Sequence, residues 1–229
     1  MRKAEAILKP EMQTTLSEET ALIKVTRLKS NQNGKADVWV VTALALWFLG
    51  VITAMAYLWN YKNTPGVEAN APTQWPSKSQ IKRNPNLPTL VLFAHPLCVC
   101  TRASLTELRQ LMSQFNGKLA AYVLFMVPDG VDEKEWTSSD SWQSAASIPG
   151  VQVIRDKAEY ESSLFSVLTS GQVVLYNRKG RLAFNGGITA ARGHVGDNPG
   201  RMQIVSLLNG RSYDQKGSPV FGCPLKDPR

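Results

Sequence analysis

The chain has few of the residues that metal sites usually require. Its 229 residues include only two histidines and three cysteines. A closed tetrahedral zinc site needs four convergent ligands, which two separated histidines and one close cysteine pair do not readily supply. We therefore expect no structural zinc site.

The chain also lacks a concentrated basic region, although its formal net charge is +8. The basic residues occur singly or in short pairs such as Lys82-Arg83 and Arg178-Lys179, without an aromatic-interleaved stripe. Nucleic-acid binding requires a basic patch or stripe. We therefore expect no nucleic-acid partner, and interpret the charge as a solvated basic surface near acidic lipid.

Only one long apolar run is present, in a chain of ordinary hydrophobic content. Residues 38–59 contain no charged side chain, and at about 1.5 Å per residue they would cross roughly 30 Å of hydrocarbon. We predict a retained transmembrane helix over 37–60. The alternative is a cleavable signal with a processing site at residues 54–56, but the preceding segment is long for a signal peptide.

Basic residues are more numerous before this run than soon after it. Those before it are Lys24, Arg27, Lys29 and Lys35, and those after it are Lys62 and Lys78. By the positive-inside rule, the N-terminus is predicted to lie in the cytoplasm and the remainder outside. The expected location is a bacterial inner membrane, crossed once, with the C-terminal domain in the periplasm.

Composition divides the rest of the chain into three parts. Residues 1–36 are polar and predict a loose cytoplasmic tail, with a short helix around 17–28. Residues 61–87 are rich in proline and asparagine and predict a spacer that holds the domain off the bilayer. The folded domain is predicted over 88–229, with a cysteine-containing tail at its end.

Periodicity in the folded domain predicts alternating strands and helices. The predicted strands are 89–95, 119–127, 151–156 and a hairpin within 172–187. The predicted helices are 98–115, 158–168 and one that begins at Asn198 and ends at Gly210. A loop with a short helix is predicted over 129–147. The order β-α-β-α-β-α-β-β-α predicts an α/β domain with a mixed central sheet flanked by helices. That order matches a thioredoxin-like fold.

Two cysteines, Cys98 and Cys100, lie where a buried strand meets the following helix. The free N–H groups and positive end of a helix lower a thiol pKa and favour the reactive thiolate. Arg102 is expected to add to this effect. His95 is a candidate proton carrier, with a simple strand end as the alternative.

The segment VLFAHPLCVC is similar to the redox-motif region of the thioredoxin-like superfamily. Taken together, HPLCVCTRASLTEL, GGITAARGHVGDNPG and VFGCPL resemble membrane-tethered thioredoxin-like proteins known as RedB. The resemblance covers roughly residues 88–225 and implies the fold and location without implying a particular substrate.

The sequence departs from the thioredoxin pattern at two points. Only one residue separates the two motif cysteines, so a disulfide between them would close a smaller ring than in thioredoxin. Such a disulfide would be more strained and a stronger oxidant. Residues 169–171 contain no proline, whereas superfamily members usually have a cis-proline there. This argues against ordinary thioredoxin-like substrate docking.

The leading prediction is cofactor-free thiol–disulfide oxidoreduction on client protein thiols. Cys98 is expected to be the more exposed attacking thiolate and Cys100 its resolving partner. Three roles stay open for Cys223: a resolving thiol, a structural bridge, or a buried inert residue. His194 and Asp197, in a glycine-rich loop, are expected to approach the cysteine pair.

The main alternative is copper delivery. Cys98 and Cys100, with His95 or His194, offer soft ligands that suit Cu(I). A peroxidase that uses Cys98 and a non-catalytic scaffold of the same fold are further hypotheses.

Overall fold

A computed structural model of the chain describes residues 33–67, 69–127, 137–211 and 217–225. The chain forms two compact units, Met1–Leu58 and Trp59–Arg229. The short helix predicted around 17–28 lies outside the described residues.

The apolar run forms helix α1, Asn33–Asn63. Within Asp37–Asn63, an 18-residue window has a mean hydropathy of 2.2, so the helix is long and apolar enough to cross a membrane. The hydroxyls of Thr42 and Thr53 donate to carbonyl oxygens four residues earlier, at 2.7 and 2.8 Å. These bonds satisfy both hydroxyls within the helix, as a hydrocarbon environment would require.

The second unit contains a five-stranded sheet flanked by helices. Its strands are β1 Thr89–Ala94, β2 Ala120–Val127, β3 Val151–Lys157, β4 Gln172–Tyr176 and β5 Leu182–Gly187; its helices are α2 Val99–Phe115, α3 Asp140–Ala146, α4 Tyr160–Leu164 and α5 Pro199–Leu208. The strand order is β3-β2-β1-β4-β5. The first three strands pair in parallel, and β4 runs antiparallel to β1 and β5. The predicted fold class, thioredoxin-like with one preceding apolar helix, is confirmed.

The central strand β1 is buried on both faces of the sheet. Leu90 and Leu92 belong to one apolar cluster, while Val91 and Phe93 belong to a second. Alternate residues of a strand point to opposite faces. This explains why the strand is apolar throughout rather than alternating with polar residues.

The last two helices differ in how well the sequence predicted them. Helix α5 begins where expected, because the Asn198 side chain accepts a hydrogen bond from the Arg201 N–H at 2.7 Å. Helix α4 is shorter than the predicted 158–168. Ala158, Glu159 and Ser166 all have φ near +55°, a left-handed conformation that interrupts a right-handed helix.

The prediction of a free spacer over 61–87 was wrong, because this segment packs onto the domain. The Trp75 ring lies 5.1 Å from the rings of Phe165 and Tyr176, in edge-to-face contact with both. The Trp75 N–H donates to the carbonyl of Gly180 at 2.8 Å. These contacts place Trp75 against the second apolar cluster.

Further contacts hold the same segment along its length. Ala71 and Ile81 are buried in the second cluster. The Ser79 hydroxyl and the Gln80 N–H both donate to the Glu161 carboxylate, at 2.8 and 2.7 Å. The apolar residues of this segment join one cluster at irregular spacing along the chain, so they show no helical or strand period.

Candidate functional site

Cys98 and Cys100 lie at the junction between β1 and α2. Cys98 is the N-cap residue of α2, and Cys100 belongs to its first turn. The Cys98 N–H donates to the His95 carbonyl at 3.1 Å, and the Thr101 N–H donates to the Cys98 carbonyl at 3.0 Å. These bonds close a tight turn that fixes the position of the Cys98 sulfur.

The C-terminal tail brings the third cysteine to the same place. The Ser170 N–H donates to the Cys223 carbonyl and the Leu225 N–H to the Leu168 carbonyl, both at 2.8 Å. Leu225 is 1% exposed, so its side chain anchors the tail in the core. The tail is thus held beside the segment that precedes β4.

Gly222 allows the tail to approach this closely. A Cβ atom at this position would overlap the carbonyl oxygen of Ser170. The absence of a side chain therefore permits the backbone contact that positions the next residue, Cys223.

The sulfur atoms of Cys98 and Cys223 lie 3.1 Å apart, although 125 residues separate them in sequence. All three cysteines are free thiols. The structure thus joins the motif cysteines and the tail cysteine in one cluster.

The expectation that Cys98 is the more exposed motif cysteine was wrong. Cys98 is 3% exposed and Cys100 8% exposed, whereas the intervening and preceding residues, Val99 and Leu97, are 77% and 74% exposed. Both cysteines face inward at the start of α2. Cys223, which is half-buried, is the most exposed of the three.

The cluster favours a single thiolate, on Cys98. The pKa of Cys98 is lowered to about 4, and the largest cause is a hydrogen bond from the Cys100 thiol. Burial acts in the opposite direction and raises this pKa. Hydrogen bonds from the Cys223 thiol and from backbone N–H groups lower it further. The pKa of Cys100 is raised well above its ordinary value, because Cys100 donates to Cys98 and is buried. Burial, and donation to Cys98, raise the pKa of Cys223 to about 11.

Arg192 is a site residue that the sequence reasoning missed. Its guanidinium donates to the Gly222 carbonyl at 2.6 Å, and its charge acts to lower the pKa values of Cys100 and Cys223. The guanidinium carbon lies 5.0 Å from the centre of the Tyr61 ring. The signal was present, since Arg192 belongs to the glycine-rich segment that the sequence linked to the site.

His95 is part of the turn that holds Cys98. Its N–H donates to the Ser170 hydroxyl at 2.9 Å, and its ring Nδ1 accepts from the Leu97 N–H at 3.2 Å. The Thr101 hydroxyl donates to the His95 carbonyl at 3.0 Å. Proton transfer by His95 stays a prediction.

Arg102, His194 and Asp197, which were expected to act near the cysteine pair, lie at the surface. Arg102 forms an ion pair with Asp140 at 3.2 Å, and both side chains are largely exposed. His194 is exposed, and Asp197, also exposed, pairs with Arg201 at 3.6 Å. Their roles at the site stay predictions.

A buried carboxylate fixes the loop that contains His194 and Asp197. Glu107, on α2, is 0% exposed and accepts hydrogen bonds from the Gly196 N–H at 2.7 Å and the Asn198 amide at 3.2 Å. Its other contact is an ion pair with Arg201 at 2.7 Å. The partners satisfy a charge that would be costly to bury alone.

Within the described residues, no cluster of three or more His, Cys, Asp or Glu side chains is arranged to hold a metal ion. The copper alternative, with Cys98, Cys100 and His194 as ligands, stays a prediction.

We predict that the reduced protein gains thiolate absorbance at 240 nm as the pH rises through about 4. The folded-state pKa of Cys98 is depressed, so its thiolate contributes stability above the unfolded pKa and loses it as the pH falls through the folded value. The Cys98→Ser variant should lack this transition. A wild-type transition only above pH 8 would contradict the prediction.

Comparison with known proteins shows similarity in structure only. No protein-family model and no curated protein matches the sequence. An uncharacterized conserved protein from Geobacillus kaustophilus is similar, with a TM-score of 0.51, 15% identity, and coverage of 73% of this chain and 93% of that one. A hypothetical protein from Sinorhizobium meliloti gives a TM-score of 0.50, 16% identity, and coverage of 71% and 93%.

A third similar structure is the exposed lipoprotein thioredoxin of Streptococcus pneumoniae. Its TM-score is 0.41 at 12% identity, with coverage of 55% of this chain and 85% of that one. At such identities the likeness concerns the fold alone. The thioredoxin-like fold rests on the strand order and pairing described above, and the chemistry of the chain must be argued from its own three cysteines.

Proposed function

We propose that the protein is a membrane-anchored thiol–disulfide oxidoreductase whose redox pair is Cys98 and Cys223. The observation that supports this most strongly is the 3.1 Å approach of their sulfur atoms. A disulfide has an S–S bond of about 2.05 Å, so a shift of about 1 Å would allow the bond to form.

The proposed chemistry is a two-electron exchange. The two reduced sulfurs of the pair lose two electrons and become a disulfide, while a client disulfide takes up those electrons and becomes two thiols; the reverse reaction oxidises the client. Stabilisation of the Cys98 thiolate favours the reduced form, which makes the disulfide a stronger oxidant.

Cys100 has a supporting role in this proposal instead of the resolving role expected from the sequence. Its thiol hydrogen bond is the largest cause of the lowered Cys98 pKa, and its own raised pKa keeps it protonated. Cys100 therefore stabilises the thiolate, and its sulfur does not enter the disulfide.

The location is part of the proposal. Helix α1 is long and apolar enough to anchor the protein, and the excess of basic residues before it favours a cytoplasmic N-terminus. The domain would then lie in the periplasm of a bacterial cell, where disulfides persist, and would meet client protein thiols there. The three RedB-like sequence segments support placing the protein in that narrower group.

The test is catalysis of exchange by the full chain in detergent micelles. We expect it to accelerate either the reduction of insulin disulfides by dithiothreitol or the oxidation of a dithiol peptide by glutathione disulfide. Acceleration of neither reaction above the rate without protein would contradict the proposal.

A further inference from the structure

We propose that the client forms its mixed disulfide with Cys223 and that Cys98 is the internal cysteine that resolves it. This inference rests on the proposed function. It reverses the roles expected from the sequence, where a motif cysteine meets the client.

Access to the three sulfurs is the first argument. Cys98 and Cys100 face inward, whereas Cys223 is half-buried and the next residue, Pro224, is exposed. An in-line attack needs room for the incoming sulfur on the far side of the sulfur under attack. Cys223 is the member of the pair that a client can reach from solvent.

The placement of the tail is the second argument. The Cys223 carbonyl is bonded to the Ser170 N–H, and the Gly222 carbonyl is bonded to Arg192. Leu225 is buried in the core beyond them. The tail therefore holds Cys223 in place over Cys98, so exposing Cys98 to a client would require the anchored tail to move.

The steps for reducing a client balance as follows. The Cys223 thiol releases its proton to solvent, and its thiolate attacks one sulfur of the client disulfide. A bond forms between Cys223 and that sulfur, the client disulfide breaks, and the departing client thiolate takes a proton from solvent. The Cys98 thiolate then attacks the Cys223 sulfur, forming the Cys98–Cys223 disulfide and releasing the second client thiolate.

The same arrangement serves client oxidation. A client thiolate attacks Cys223 in the disulfide, and Cys98 leaves as a thiolate. A second client thiolate then attacks the client sulfur of the mixed disulfide, and Cys223 leaves and takes a proton. Thiolates of low pKa leave faster, and Cys98 is the thiol whose pKa is lowered. Arg192 assists the reducing direction, because its charge opposes the rise in the pKa of Cys223.

Single-cysteine proteins test the assignment, with glutathione disulfide as the probe. One full-length variant, Cys98→Ser with Cys100→Ser, keeps only Cys223; the other, Cys100→Ser with Cys223→Ser, keeps only Cys98. Neither can resolve an adduct internally. Because the pKa of Cys98 is lowered and that of Cys223 is raised, each rate is divided by the fraction of that cysteine present as thiolate, read from its absorbance. We expect the protein that keeps Cys223 to form its glutathione adduct at least tenfold faster on this scale. In guanidinium, where both thiols are exposed, we expect equal rates. Equal or reversed rates in the folded proteins would overturn the assignment.

The unaltered protein provides a second measurement in case a variant misfolds. Oxidised wild-type protein is mixed with limiting reduced glutathione, quenched with acid within the first turnover, and mapped by peptide mass. The expected transient adduct is on Cys223. Glutathione on Cys98 or Cys100 would overturn the inference while leaving the proposed function intact, whereas failure to form any Cys98–Cys223 disulfide would reject the proposed function itself.

Discussion

Replacing Cys223 by Ser is expected to lower catalysed thiol–disulfide exchange to the background rate, a loss of at least about 100-fold. Cys98→Ser is expected to have the same effect, because each variant lacks one sulfur of the proposed disulfide. The measurement is the rate of exchange with a dithiol peptide and glutathione disulfide. Both variants replace a sulfur by an oxygen of similar size and should keep the fold.

Cys100→Ser is the matched control, since it alters the neighbouring motif position. We expect this variant to retain turnover. Its Cys98 pKa should lie closer to the ordinary value, because the hydrogen bond that lowers this pKa most is weakened. A fully active Cys223→Ser protein together with an inactive Cys100→Ser protein would show that the motif cysteines are the redox pair.

Replacing Trp75 by Ala should lower the free energy of unfolding by about 2–3 kcal/mol. Trp→Ala substitutions in cores cost roughly 3–5 kcal/mol. The expected loss lies at or just below the bottom of this range, because Trp75 is only half-buried. The substitution removes its contacts with Phe165 and Tyr176. The measurement is urea unfolding of the full chain in a mild non-ionic detergent.

Val67→Ala is the control within the same segment. Val67 is 63% exposed, and a substitution at an exposed position usually changes stability by no more than about 0.5 kcal/mol. If Trp75→Ala changed stability as little as Val67→Ala, the original prediction of a spacer over residues 61–87 would stand.

The regular elements could be predicted because their signals are local. The apolar run of β1, the helical spacing in α2 and the cap formed by Asn198 each depend on neighbouring residues alone. The order of strands and helices then restricted the possible topologies. These signals were sufficient for the fold class and for placing Cys98 where a strand meets a helix.

The rest of the site depends on contacts between distant parts of the chain. Cys223 is 125 residues from Cys98, and a single cysteine in a short tail does not specify its partner. Arg192 reaches the tail through one carbonyl hydrogen bond, which has no sequence pattern. The burial of Cys98 likewise depends on tertiary contacts, so its exposure was misjudged.

The docked segment before the domain was missed for a related reason. Prolines and polar residues in 61–87 resemble those of a linker, and Trp75 and Ile81 pack into the second cluster without any periodic spacing. Residues of this kind contribute through tertiary packing, which composition alone does not report.

The most direct test of the central claim is to identify the disulfide that forms in wild-type protein. The full chain is equilibrated in glutathione buffers of graded potential, its remaining thiols are trapped, and its peptides are mapped by mass without reduction. We predict one reversible two-electron transition that joins Cys98 to Cys223 and leaves Cys100 free. A disulfide between Cys98 and Cys100, with Cys223 trapped as a thiol throughout, would contradict the claim.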